Sequence, residues 1–141
     1  IGKYDIQTEG KNCLVVGRSN IVGRPMSILM SLRGRYGNST VTLAHSKSKN
    51  LAELTLKADI VIMALGIPEF LKSDMIKKDS TIIDVGITRV EDKSKRRGYV
   101  IKGDVDFDSV SKKAKFLTPV PGGVGPMTIA MLLQNTLDAR L

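Results

Sequence analysis

Cysteine and aromatic residues are scarce in this sequence. Its 141 residues include one cysteine, Cys13, no tryptophan, three phenylalanines and three tyrosines. A single cysteine excludes an internal disulfide, and its place beside an apolar strand predicts a packed thiol rather than a nucleophile. So few aromatic rings leave little surface on which nucleic-acid bases could stack. The cysteine usage favours a reducing cytoplasm, and the aromatic content argues against a nucleic-acid partner.

Long hydrophobic runs are absent as well. No apolar stretch approaches the roughly 20 residues that a membrane-spanning helix requires. Residues 1–5 do not show the charged-then-apolar order of a secretion signal. Hydrophobic residues make up 42% of the chain and charged residues 26%, a balance that suits one packed core and not a disordered segment. We therefore expect one folded domain with no membrane partner.

Acidic residues are outnumbered by basic ones. The chain has 22 lysines and arginines against 14 aspartates and glutamates, which gives a formal net charge of +8. Lys93, Lys95, Arg96 and Arg97 cluster in a polar stretch between two β-like runs, where charge usually marks a solvated loop. The excess positive charge suits an anionic small ligand or an acidic neighbouring domain better than a nucleic acid.

Short apolar runs alternate with helical stretches along the chain. This alternation predicts an α/β fold of the Rossmann type, a doubly wound and mostly parallel sheet with helices on both faces. The run at residues 59–66 is almost wholly apolar, as expected for a central strand that is covered on both faces. A hairpin is predicted between Val90 and Tyr99. Strands are predicted at residues 13–16, 40–44, 60–64, 81–85 and 116–120, and helices at residues 22–33, at 50–57 and from 125 onward.

The first predicted strand runs into Gly17, and a second glycine, Gly23, follows six residues later at the start of a helical stretch. The first glycine allows a tight turn, the helix offers free N–H groups to a phosphate, and the second glycine permits close packing. Arg18 and Ser19 replace the middle glycine of the usual motif, so the pattern alone is a weak signal. We predict a dinucleotide-phosphate turn in which Gly17, Arg18 and Ser19 contact the cofactor.

The tip of the second predicted strand indicates which dinucleotide would bind. NAD-binding folds usually carry an acidic residue there for the ribose 2′-hydroxyl, whereas this tip offers His45, Ser46 and Lys47. Together with Arg18, these side chains suit a 2′-phosphate, so NADP is favoured over NAD. The alternative for His45 is a surface histidine at a strand end, and for Ser46 an ordinary turn residue.

The next two strand tips each carry a glycine. Gly66 and Gly86 stand where the backbone would have to pass close to a flat cofactor ring, although a glycine after a strand is also ordinary turn chemistry. Ile87 could lie against such a ring or in the core. We include all three in the predicted cofactor site.

A loop rich in proline and glycine is the most specific segment of the chain. Residues 119–126 contain three prolines and three of the chain's glycines directly before the last predicted helix, and Thr128 follows. Backbone N–H groups in such a bare, rigid loop could hold a carbonyl or a phosphate. We therefore predict a ligand-binding role for this loop.

Four segments together carry a resemblance to a known family. Residues 17–26, 84–87, 103–105 and 118–128 resemble, in order, the signatures of the methylenetetrahydrofolate dehydrogenase/cyclohydrolase family. The resemblance implies NADP-linked oxidation of 5,10-methylenetetrahydrofolate to the methenyl form, followed by hydrolysis to 10-formyltetrahydrofolate. It further implies a cytoplasmic, homodimeric enzyme of one-carbon metabolism and purine biosynthesis.

The resemblance also implies roles for particular residues. It matches Gly17, Arg18, Ser19, Ser46 and Ile87 to cofactor-binding positions, and we add His45, Gly66, Gly86 and Thr128 to that set. Contact with the folate substrate is implied for Pro121, Gly122, Gly123, Val124 and Gly125. No metal site is predicted.

The catalytic tyrosine and lysine of that family lie in an amino-terminal half that has no counterpart here. We therefore predict no catalytic residue in this chain and expect it to be inactive alone. Residues 1–10 are interpreted as a connection from the missing half, and residues 11–141 as the NAD(P)-binding domain. Two alternatives stay open, an NADP domain of another two-domain dehydrogenase such as a shikimate-type enzyme, and a non-catalytic nucleotide-sensing module.

Overall fold

The computed structural model describes residues 1–140, which form eleven helices and strands and two short 3₁₀ turns at Gly2–Tyr4 and Ser73–Met75. The strands are β1 (Asn12–Val16), β2 (Thr40–Ala44), β3 (Ile60–Met63), β4 (Thr81–Asp84), β5 (Thr88–Glu91), β6 (Tyr99–Lys102) and β7 (Phe116–Leu117). The helices are α1 (Gly23–Ser31), α2 (Leu51–Lys57), α3 (Phe107–Val110) and α4 (Val124–Asp138). The predicted α/β fold is confirmed.

Five strands form one parallel sheet in the order β2-β1-β3-β4-β7. Strand β3 is the middle strand and all four of its residues are buried, as its apolar sequence predicts. The last strand has only two residues instead of the predicted five. Thr118 still bonds to β4, but Pro119 has no N–H to donate and the chain turns away.

Both faces of the sheet are covered. Alternate residues of a strand point to opposite faces, so Cys13 and Val15 lie on one side of β1, and Leu14 and Val16 on the other. On the first side they pack with Met30 of α1. The second side packs against α2, α3 and the segment that follows β3. This two-sided arrangement is the doubly wound architecture that the sequence predicts.

The predicted hairpin is present as β5 and β6, in which Val90 pairs with Val100 and Glu91 with Tyr99. All four basic residues of the cluster at residues 93–97 are exposed in its loop, as predicted. Cys13 is 1% exposed, and burial raises the pKa of its thiol to about 12, so it is a packing residue. Within residues 1–140, no helix has the length and apolar character needed to span a membrane.

Helix α4 begins at Val124, one residue before the predicted start, and none of its residues is buried. Its apolar residues recur at helical spacing, yet nothing within residues 1–140 covers them. The exposed fractions are 66% for Ile129, 65% for Leu132, 68% for Leu133 and 56% for Leu137. The sequence predicts the helix correctly, but its apolar stripe packs against no part of the described chain.

Candidate functional site

The topology places a switch point between β1 and β3. From β1 the chain passes to β2 on one side and then crosses to β3 on the other side of β1. Ligands of open parallel sheets bind at such a point, beyond the carboxyl ends of the strands. We call this end of the sheet the carboxyl edge. All the strand tips predicted to carry the site lie along it.

Gly17 directly follows β1 and has a positive φ, a backbone conformation that favours glycine. Its φ is +129°, and a Cβ there would collide with the carbonyl oxygen of Ala64 at the tip of β3. Gly23 is equally constrained, because a Cβ there would collide with the Gly17 carbonyl. The tight turn and the close packing predicted for these two glycines are therefore confirmed.

The turn between these glycines leaves backbone N–H groups without partners. The Ser19 hydroxyl accepts hydrogen bonds from the amides of Val22 and Gly23, at 3.1 and 3.4 Å, and so caps the start of α1. Among the residues that the structure describes, no acceptor pairs with the four amides of residues 18–21. Arg18 is exposed beside them. Free amides beside a guanidinium are groups that suit an anion.

The tip of β2 lies directly beside this turn. Val16 and Ala44 are register partners, and the Gly17 amide donates to the Ala44 carbonyl at 2.8 Å. In the following turn, His45 accepts a hydrogen bond from the Lys47 amide through Nδ1 at 3.1 Å, and its Nε2 has no partner within residues 1–140. The Ser46 side chain is exposed and has no hydrogen-bond partner within residues 1–140. The structure thus brings the residues predicted for the phosphate together.

A cavity of about 300 Å³ opens further along the same edge, between the tip of β4 and the loop that leads into α4. It contains most of the remaining predicted residues. The lining includes Gly86, Ile87, Pro121, Gly122, Gly123, Val124, Gly125 and Thr128. Ile87 is 65% exposed, so the apolar side chain faces the opening rather than the core. The predicted residues therefore form two groups, one at the tips of β1 and β2 and one around this cavity.

Gly66 belongs to neither group and lies at the tip of β3. Its φ is +73° and a Cβ there would meet open space, so the turn itself accounts for this glycine. Gly86 is constrained differently, because a Cβ there would collide with the Asp104 carboxylate. The local backbone and packing thus explain the presence of both glycines without a cofactor ring. Their predicted contact with the cofactor stays a prediction.

Sequence reasoning missed two buried carboxylates behind the cavity. Asp84 is 2% exposed and Asp104 is 0% exposed. Asp84 accepts hydrogen bonds from the amides of Gly86 at 2.9 Å, Asp104 at 3.1 Å and Val105 at 3.0 Å. Its own amide donates to the Thr118 hydroxyl at 2.8 Å. The sequence signal for this site was an aspartate at the end of an apolar strand. A carboxylate buried at such a position needs hydrogen-bond donors around it.

Burial raises the pKa of the Asp84 carboxyl above its ordinary value, and the three amide hydrogen bonds oppose that shift. The neighbouring Asp104 raises the pKa further. Outside this pair, the predicted site residues are basic or uncharged. Residues 1–140 contain no group of three or more histidine, cysteine or acidic residues that could hold a metal ion.

The parallel sheet, the glycine turn at its switch point and the adjoining cavity define an α/β dinucleotide-binding domain. Residues 1–141 match the family described as the NAD(P)-binding domain of tetrahydrofolate dehydrogenase/cyclohydrolase, and the chain belongs to this family. The resemblance stated from the sequence is thereby confirmed.

Known proteins agree with this assignment. The chain is 70% identical over 138 residues to a bifunctional protein FolD of Flavobacterium johnsoniae, covering 98% of this chain and 47% of the relative. A solved FolD structure from Campylobacter jejuni has a TM-score of 0.87 at 48% identity, and the match covers 99% of this chain and 47% of the Campylobacter jejuni chain. A FolD structure from Trypanosoma brucei, described as a complex with NADP and an inhibitor, has a TM-score of 0.88 at 41% identity. That match covers 96% of this chain and 45% of the Trypanosoma brucei chain. The chain spans about half the length of the relatives it matches.

Proposed function

We propose that this chain is the NADP-binding part of an enzyme that oxidises 5,10-methylenetetrahydrofolate to 5,10-methenyltetrahydrofolate and hydrolyses the product to 10-formyltetrahydrofolate. One observation carries the proposal. A turn with unpaired amides at the β1 tip and a cavity at the β4 tip share the carboxyl edge of the sheet, in a chain of this family. The Trypanosoma brucei relative, 41% identical, is described as bound to NADP.

The residues at the tips of β1 and β2 suit the phosphates of NADP. Free amides after Gly17 would donate hydrogen bonds to the pyrophosphate, and Arg18, His45 and Ser46 would surround the 2′-phosphate. No carboxylate occupies residues 45–49 to repel that phosphate or to bind a 2′-hydroxyl. The same donors would bind NAD less tightly, because it lacks the group that they recognise.

The cavity suits the two rings between which a hydride moves. Ile87 and Thr128 would hold the nicotinamide side, and the five residues from Pro121 to Gly125 would contact the folate. The bound cofactor supplies the hydride acceptor. Loss of hydride leaves an iminium on the folate that the adjacent nitrogen stabilises, so this step needs accurate placement more than a proton-transfer group. A rigid loop of prolines and glycines provides such placement.

We propose that catalytic side chains for the hydrolysis come from outside this chain. On this view residues 1–10 connect to an amino-terminal domain, and residues 11–141 are the cofactor domain. The full-length protein would act in the cytoplasm, in one-carbon metabolism and purine synthesis, and the chain alone would be inactive.

A homodimer is part of the proposal. Strand β2 is one of the two outer strands of the sheet, and Leu43 on it is 40% exposed. Helix α1 and the residue that follows it expose apolar side chains next to β2, with exposed fractions of 59% for Ile28, 54% for Leu29 and 52% for Leu32. An unpaired strand edge beside apolar side chains is a surface that a second copy could cover.

The phosphate assignment is tested by Arg18→Ala in the full-length protein. A charge-assisted hydrogen bond contributes about 1.5–3 kcal/mol, so NADP⁺ affinity should fall about tenfold or more while NAD⁺ affinity changes little. Titration calorimetry measures both. Arg35→Ala is the matched control, since it removes the same charge from an exposed residue beyond the opposite end of α1. Equal losses for both dinucleotides would overturn the assignment.

Family membership favours the folate enzyme over a shikimate-type dehydrogenase. A nucleotide-sensing module is distinguished by a direct assay. The full-length protein should reduce NADP⁺ only when methylenetetrahydrofolate is present, whereas a sensing module would bind NADP⁺ without turnover.

A further inference from the structure

Asp104 links the turn after β3 to the wall of the cavity at the tip of β4. One of its carboxylate oxygens, Oδ2, accepts hydrogen bonds from the amides of Leu65 at 2.6 Å and Gly66 at 3.0 Å. These amides form the turn at the tip of β3, next to the glycine turn that ends β1. The Asp104 amide in turn donates to Asp84, which also holds Gly86 in the cavity wall. A continuous chain of hydrogen bonds therefore runs from the switch point to the cavity.

The surroundings fix Asp104 in this position. It is fully buried, its carbonyl accepts from the Leu71 amide at 2.9 Å, and its carboxylate fills the space that a side chain at residue 86 would need. A side chain held at both its backbone and its carboxylate has little freedom to move. The turn after β3 is held in place by its hydrogen bonds to this fixed carboxylate.

The two oxygens of Asp104 are used unequally. Oδ2 accepts two N–H groups, whereas Oδ1 is buried and has no hydrogen-bond partner among residues 1–140. Asparagine could therefore keep both bonds, with its oxygen at the Oδ2 position and its NH₂ where no N–H group points. Asp84 differs, because both of its oxygens accept amides, and an NH₂ at either position would face a donor.

We propose that Asp104 is a positioning residue of the cofactor site. It acts through the Leu65–Gly66 turn and sets the β3 tip at a fixed distance from the β4 tip. The predicted residues at the tips of β1 and β2 and the residues of the cavity can then contact one dinucleotide at the same time. The proposal rests on the function proposed above. Positioning requires the two hydrogen bonds rather than the charge, and this distinction makes it testable.

The experiment compares Asp104→Asn and Asp104→Ala in the full-length protein. Asp104→Asn should keep NADP⁺ affinity within about threefold. Asp104→Ala should weaken it at least tenfold, and the Leu65 and Gly66 amides should lose protection from hydrogen exchange in that variant. Asp104→Ser, whose short side chain cannot reach both amides, replaces the alanine variant if that one does not fold.

Asp59→Ala is the matched control, because Asp59 also accepts a backbone amide next to β3, but at the opposite end of the strand. It should lower thermal stability and leave NADP⁺ affinity unchanged, which separates positioning from general loss of stability. Unchanged NADP⁺ affinity in a folded Asp104→Ala, or a tenfold loss in Asp104→Asn, would overturn the proposal. If the wild type does not bind NADP⁺, the proposed function fails, and the exchange of the two amides still reports whether Asp104 holds the turn.

Discussion

Three glycines at the carboxyl edge are required for three different physical reasons. Gly17 combines a positive φ with backbone contact to β3, whereas Gly66 has a positive φ and open space where a side chain would be. Gly86 has an ordinary φ, and its missing side chain makes room for Asp104. The same residue type thus serves backbone conformation, close approach of strands and burial of a carboxylate.

These differences predict the cost of an added methyl group. Gly86→Ala should lower the free energy of unfolding by about 1–3 kcal/mol, because the methyl would force the buried Asp104 carboxylate out of place. Gly125→Ala is the control, since a Cβ there meets no atom within 4 Å and the residue lies in the first turn of α4. Its stability should change by less than about 0.5 kcal/mol. Urea denaturation measures both, and equal effects would contradict the prediction.

The carboxylate pair also shows what residue-level sequence reasoning could reach. Gly17, Arg18 and Ser46 were predicted from their places after strands, because the turn and its charges follow from local sequence. Asp84 and Asp104 were recognised only as parts of motifs. Twenty residues separate them. Their partnership depends on the return path of the β5–β6 hairpin, and no local pattern specifies that path.

At the scale of elements, β3 is anchored by a carboxylate at each end. Asp59 precedes the strand and accepts hydrogen bonds from the Asn12 amide at 3.0 Å and from the Lys77 side chain. Asp104 holds the turn after the strand. The central strand is therefore fixed to its neighbours at both ends by side chains as well as by the backbone ladder.

The amino-end anchor predicts a pH dependence. Hydrogen bonds from Lys77 and Asn12 hold the pKa of Asp59 below its ordinary value of 3.8. Because folding lowers this pKa, the contribution of Asp59 to stability is complete above the ordinary pKa of 3.8. It is lost as the pH falls through the lower pKa of the folded state. Asp59→Asn should thus cost about 1 kcal/mol at pH 7, since Lys77 is half exposed and screened by solvent. Urea denaturation should show this difference shrinking at pH 3, and a constant difference would contradict the assignment.

Elements whose sequence shows a clear apolar run or a full helical period were predicted, and elements that show neither were not. The four strands from β1 to β4 and the hairpin follow from apolar and alternating runs. Helix α3 was missed, because four residues are too few to show a helical period, although Asp106 caps it by accepting from the Ser109 amide at 3.3 Å. Strand β7 was overestimated, because its apolar run continues into a proline that cannot extend the ladder.

At the scale of the whole molecule, helix α4 is the least integrated element. The rest of the fold surrounds the parallel sheet, whereas α4 leaves the cavity and buries none of its residues. Three or four large apolar side chains on one helical face normally lie against another element. The relatives that the chain matches are about twice as long, and we propose that the remainder of the full-length protein covers this face.

This proposal predicts opposite effects of one substitution in two molecules. Leu133 is 68% exposed in the 141-residue chain, so Leu133→Glu there should leave folding stability unchanged and reduce self-association and dye binding to apolar surface. In the full-length protein the same change would bury a charge against the covering domain and should lower stability by about 2 kcal/mol or more. Asn135→Glu is the control, because Asn135 is exposed on the same helix and its side chain has no hydrogen-bond partner within residues 1–140. Denaturation and sedimentation of both molecules measure the effects. Equal stability of the full-length wild type and of Leu133→Glu would show that α4 is not covered in this way.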